Sequence, residues 1–173
     1  EFDYARALER TESTFWWFCD DYVELVKGRA YSSQGDDAAG SALVAMRLAL
    51  SALQRLFAPF MPFTAESVWR WWNEESVHRA SWPTAEELVS TGDVTILDTV
   101  GEILGQIRRA KTEAKTSQRT PVARCVVHGD ARTLEILELV RADLTEAGSV
   151  REWSTMSMPQ GSAIGVDVEL DAS

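Results

Sequence analysis

The sequence predicts a mainly α protein, a helical bundle followed by a small β-α-β-β unit. Three observations carry this prediction. Apolar residues recur at steps of three, four or seven in the helical stretches between Leu8 and Ile107, prolines at 59, 62 and 121 punctuate the pattern, and beyond Pro121 the repeat drops to two residues. A boundary is placed near residue 119, giving a bundle over 1–119 and an α/β unit over 120–173.

The first helix runs from Phe2 to about Lys27, with Leu8, Phe15, Phe18, Tyr22 and Leu25 as its apolar stripe, and the Ser/Gly/Asp-rich stretch 32–37 ends it. Asp36 and Asp37 suit the start of a second helix, by capping and by opposing its dipole. Leu43, Met46, Leu50, Leu53 and Phe57 form that helix's expected buried face. Pro59 and Pro62 forbid its continuation, since each lacks an amide donor and restricts the residue before it. Thr64 is expected to cap a third helix carrying Val68, Trp69 and Trp72, and a fourth spans Asp93 to about Thr116 and buries Leu97, Val100, Leu104 and Ile107. Ala123, Cys125 and Val127 then alternate with Arg124, Val126 and His128, a strand. Thr133–Glu146 returns to helical spacing and closes at Gly148. Val150–Met156 and Ile164–Leu170 read as two further strands.

Of 173 residues, 45% are hydrophobic and 25% charged, enough apolar content for one sizeable domain or a domain with a small appendage. The net charge of −10 argues against bulk attraction to nucleic acid or an anionic membrane, so any such binding must be local. The two cysteines, Cys19 and Cys125, suggest neither a disulfide framework nor a metal site, which fits a reducing cytoplasm. No apolar run is long enough for a membrane span. The first residue is not Met and the chain opens directly into a helical pattern, as expected of a piece of a longer protein.

Charge is unevenly distributed. Residues 1–101 carry 8 Lys/Arg against 16 Asp/Glu, residues 102–128 carry 6 against 2, and residues 129–173 carry 3 against 9. Within the basic island, Arg108, Lys111 and Lys115 are three and four apart on one helical face, with Arg109 beside them. Such a face can meet phosphates, although cations also gather at helix C-termini simply because they stabilise the dipole. Catalytic patterns are missing: neither His78 nor His128 has metal-ligand spacing, the adjacent Asp20 and Asp21 make a poor acid/base pair, and no phosphate-loop or nucleophile-elbow motif occurs. The tryptophans could stack on bases, but aromatics at helical spacing more often fill cores.

The segments FWWFCDDYVELVKGRAY (15–31), LFAPFMPFTAESVW (56–69) and SVHRASWP (76–83) resemble, in order and spacing, the C-terminal helical region of class Ia aminoacyl-tRNA synthetases. The run Phe18–Tyr22 is most similar to the valyl branch. The resemblance implies an anticodon-binding domain, a ligase fragment with no catalytic residues and no cofactor of its own. ATP and magnesium would act in the full-length enzyme, whose nucleotide-binding signatures are absent here. The implied partners are valine-specific tRNA and the remaining domains of the parent synthetase, with a monomer expected and no membrane. By the same analogy Phe2 stands where an aromatic stacks on a base. The corner Phe60–Thr64 supplies Met61, Phe63 and Thr64 as further candidates, with Thr64 where many relatives carry an aliphatic residue. Phe60 and Phe63 are expected to pack inward, leaving Met61 or Thr64 to face RNA. Arg108, Arg109, Lys111 and Lys115 become candidate backbone contacts, which fix register without reading sequence. Two alternatives stay open: the same domain of an isoleucyl enzyme, and a module that docks on other protein domains.

Overall fold

In the computed structural model, which describes residues 3–88 and 92–171, Asp3 starts α1 (Tyr4–Trp17) by accepting the Arg6 amide at 3.0 Å. The Phe2 expectation lies outside the described residues. The helix does not stop at Trp17. It passes through one widened turn, Phe18–Tyr22, in which the Val23 amide donates to the Phe18 carbonyl, and continues as α2 (Val23–Ala30). Phe18 and Tyr22 stack across that turn with ring centroids 5.8 Å apart.

The chain divides into two compact units, Glu1–Thr91 and Gly92–Ser173. In the first, α3 (Asp36–Phe57) packs on α2 and α1, and α4 (Pro62–Trp69) packs on α3. The buried positions of α3 are Ala39, Ala42, Ala52, Leu53 and Gln54, whereas Leu43 and Leu50, expected inside, are 52% and 38% exposed. Small residues let a neighbouring helix come close, and the spacing of large residues alone does not reveal this. Gly35 occupies the cap position of α3, so Asp36 and Asp37 lie in its first turn, where they oppose the dipole without capping.

The sequence placed the boundary near residue 119, whereas the compact units divide before α5 (Thr95–Glu113). The buried face of α5 is Val100, Ile103, Leu104 and Ile107. The helix packs against the elements that follow it, α6 (Ala131–Gly148) and β3 (Gly165–Leu170). Periodicity shows that a helix has a buried face but not what covers it. The remaining strands are β1 (Val122–Gly129) and β2 (Val150–Ser157), and the sheet order is β2-β1-β3. Strand β1 pairs parallel with β2 and antiparallel with β3, so Cys125 lies opposite both Trp153 and Val168. The side-chain amide of Gln106 joins α5 to β3, donating to the Ile164 carbonyl at 2.9 Å and accepting the Val166 amide at 3.0 Å. No described helix is long and apolar enough to cross a membrane.

The junction of β1 and α6 is crowded. One oxygen of Asp130 caps α6 by accepting the Thr133 amide (2.9 Å) and hydroxyl (3.0 Å), and the other accepts the Gly161 amide (3.1 Å). A Cβ added at Gly129 would lie 2.5 Å from Thr133 Cγ2 and 2.7 Å from Thr133 Cβ. Gly129→Ala is therefore expected to cost about 1–3 kcal/mol by overpacking. Equilibrium denaturation checks this, and Thr133→Ser in the same chain should return only part of the loss, because Cβ remains.

Candidate nucleic-acid interface

The corner that follows α3 is closed by its own backbone. The amides of Phe60 and Met61 both donate to the Phe57 carbonyl, at 2.9 and 2.8 Å. Pro62 then opens α4, where its missing amide costs nothing and its fixed φ suits the first turn. Thr64 is thus inside α4 and is not its cap. A carboxylate braces the far side: Glu66 accepts the Ser76 hydroxyl and the Val77 amide, both at 2.9 Å, and pairs with Arg70 at 2.8 Å. The Arg70 hydrogen bond leads the effects that hold the Glu66 carboxyl below its ordinary range. Beneath lies a cluster of Ala58, Ala65, Trp69 and Val77, with the Trp69 indole donating to the Glu75 carbonyl at 2.9 Å.

This frame leaves three candidate residues in solvent: Met61 is 48% exposed, Phe63 is 89% exposed, and Thr64 is exposed. The expectation that Phe63 packs inward is corrected. On α4 the buried positions are Ala65 and Trp69, and a residue two before Ala65 lies about 200° round the helix from it. Phe60 is half-buried. Beside the corner runs an apolar groove of about 370 Å³, walled by Phe15 and Trp16 of α1, by Leu53 and Phe57 of α3, and by Met61 and Thr64. Phe15 meets Phe57 edge-on, with ring centroids 5.5 Å apart. Gln54 also lines the groove, 6% exposed, and its amide nitrogen and oxygen are both buried without a hydrogen-bond partner.

The basic helix end belongs to the other unit and differs from the expected single face. Lys111 is 1% exposed, and its ammonium donates to the carbonyls of Gln118 (2.9 Å) and Gly148 (2.8 Å). Burial, with Arg108 nearby adding to it, pulls the Lys111 ammonium below the ordinary lysine range. It is a structural tie between the ends of α5 and α6 and cannot also bind a phosphate. The helix stops at Glu113, and Lys115 follows in the left-handed region at φ 55°. Its amide donates to Thr112 and that of Thr116 to Lys111, which closes the last turn. Arg109 and Lys115 are exposed at the surface, and Arg108 is half-buried.

A family model described as the anticodon-binding domain of tRNA ligase matches residues 1–127. The chain belongs to this anticodon-binding domain family. Its curated relatives include valine–tRNA ligases of Leifsonia xyli, 53% identical over 155 residues, of Thermobifida fusca, 47% over 173, and of Cutibacterium acnes, 44% over 172. These matches cover 87%, 98% and 98% of the chain and 18%, 19% and 20% of the relatives, so the chain spans about a fifth of their length. The anticodon-binding match takes in the whole first unit together with α5 and most of β1. The groove and its buried amide were missed in the sequence. Gln54 is one polar position in an apolar stripe, and only the packing of its neighbours leaves it without a partner.

Proposed function

We propose that the chain is the part of a valine–tRNA ligase that holds tRNA near its anticodon, while the joining of valine to the acceptor end, with ATP and magnesium, takes place in the rest of that enzyme. The observation that carries this reading is the solvent-facing corner of an anticodon-binding fold. Met61 and Thr64 line an aromatic groove, and Phe63 stands out between them. Unpaired loop bases expose an edge and a π-face, which such a corner can receive. Arg109 and Lys115 add sequence-independent attraction to phosphates. The net charge of −10 does not prevent this, because phosphates respond to the field within about 8 Å.

The test is binding of the chain to valine tRNA, isoleucine tRNA and an anticodon-swapped valine tRNA. Valine tRNA should bind most tightly, and the swap should remove the preference. Replacing both Arg109 and Lys115 with Gln should flatten the slope of log affinity against log salt by roughly 1–2, whereas Lys111→Met should leave the slope unchanged. Equal binding of all three RNAs would sink the anticodon reading. A second reading would then stand, docking on the remaining domains of the parent enzyme. It is favoured by Leu43, Val44 and Leu48 of α3, which are 52%, 61% and 45% exposed.

A further inference from the structure

Two glutamines of this chain sit in comparable helices with opposite fates. Gln106 uses both ends of its amide, as donor and as acceptor, within the fold. Gln54 is the more deeply buried of the two, 6% exposed where Gln106 is half-buried, yet its Nε2 and Oε1 meet no partner. Burying an amide unpaired is costly, and a native protein normally avoids it. Here the cost falls in the wall of a groove that is mostly aromatic or apolar, with Glu12 and Thr64 its other polar residues, and which is large enough for a small planar ligand.

We propose that this groove takes one unpaired RNA base, and that Gln54 is the residue that hydrogen-bonds its edge. The proposal rests on the RNA binding proposed above and deepens it. An apolar side chain from another protein segment would fill the groove but leave the amide unpaired. A nucleobase satisfies both requirements: its flat face packs on Trp16 and Phe57, and its edge offers a donor beside an acceptor, the complement of a carboxamide. Rotation about the side-chain bonds of Gln54 turns the amide from the wall toward the base. Its energy is then recovered on binding, since two unmade hydrogen bonds become two made ones. Glu12, exposed on α1 and lining the same groove, adds an acceptor that favours a base carrying an amino group. Because the amide has no internal partner to fix its orientation, it can present either order of donor and acceptor. Identity at this position is then set jointly with Glu12 and Thr64.

The experiment is Gln54→Met in the full chain, read in two ways. The thioether keeps the length of the side chain and removes the unpaired groups, so the melting temperature should rise by roughly 4 °C or more. Affinity for the anticodon stem-loop of valine tRNA should meanwhile fall roughly tenfold. A lower melting temperature would show that the amide has a partner inside the fold and overturn the inference. So would unchanged affinity in a chain that is more stable, with the RNA-binding proposal left intact. Failure of the wild-type chain to bind the stem-loop would remove both. As a separate readout, 2-aminopurine placed in turn at each loop position should be quenched strongly at one position in the wild-type complex. Trp16→Leu should relieve that quenching, and quenching indifferent to Trp16 would also overturn the assignment.

Discussion

Lys111→Ala is expected to be the most destabilising of the substitutions considered, lowering the unfolding free energy by about 2–5 kcal/mol, a loss comparable with removing a large core side chain. The aliphatic stem of Lys111 is fully buried, so truncation leaves a void. The Gln118 and Gly148 carbonyls also lose their donor. The desolvated ammonium works in the opposite direction, because burying a charge is itself unfavourable and its lowered pKa reflects this. Lys111→Met separates these contributions. It keeps most of the volume, removes the buried charge and leaves two carbonyls unpaired, so its cost should be smaller, roughly 1–3 kcal/mol. Urea titrations of the two variants check the order. A methionine variant as stable as wild type would mean that water replaces the ammonium at both carbonyls.

The second large effect is a loss of stability at alkaline pH that depends on Cys125. This thiol is 0% exposed in the central strand, and burial, followed by the charge of Asp167, pushes its pKa from 9.0 up to about 12. In the unfolded chain the thiol ionises near its ordinary value, so above pH 9 the unfolded state binds fewer protons than the folded one. Stability is therefore full below pH 9 and is lost as pH rises toward about 12, at about 1.4 kcal/mol per pH unit. Lys111 has the opposite sign. Its lowered folded pKa makes the unfolded state hold more protons just below 10.5, so its contribution rises with pH there. Comparing wild type with Cys125→Ala, each denatured in urea between pH 8 and 11, cancels the lysine and isolates the thiol. Parallel pH profiles would contradict the assignment.

The fold was legible where a local pattern decides it. The change from helical to alternating spacing at Pro121, and the strands on either side of α6, follow from residues that are neighbours in sequence. What was not legible depends on distant partners. Lys111 reads as one more cation on a basic helix face, but the carbonyls of Gln118 and of Gly148, 37 positions on, make it an internal donor. Leu43 and Leu50 read as core, but Ala39, Ala42 and Ala52 occupy the buried positions of α3. The corner was legible from its prolines. Which side of it is wet was not, because Pro62 and not Thr64 begins α4 and this places Phe63 outward.

The strand order β2-β1-β3 puts the first strand to be synthesised in the middle of the sheet. As the chain emerges from the ribosome, β1 has neither neighbour until α6 has been made and β2 follows it, and the antiparallel edge closes only when β3 has been made in turn. A central strand that must wait for both partners exposes Val122, Cys125 and Val127 to misassociation.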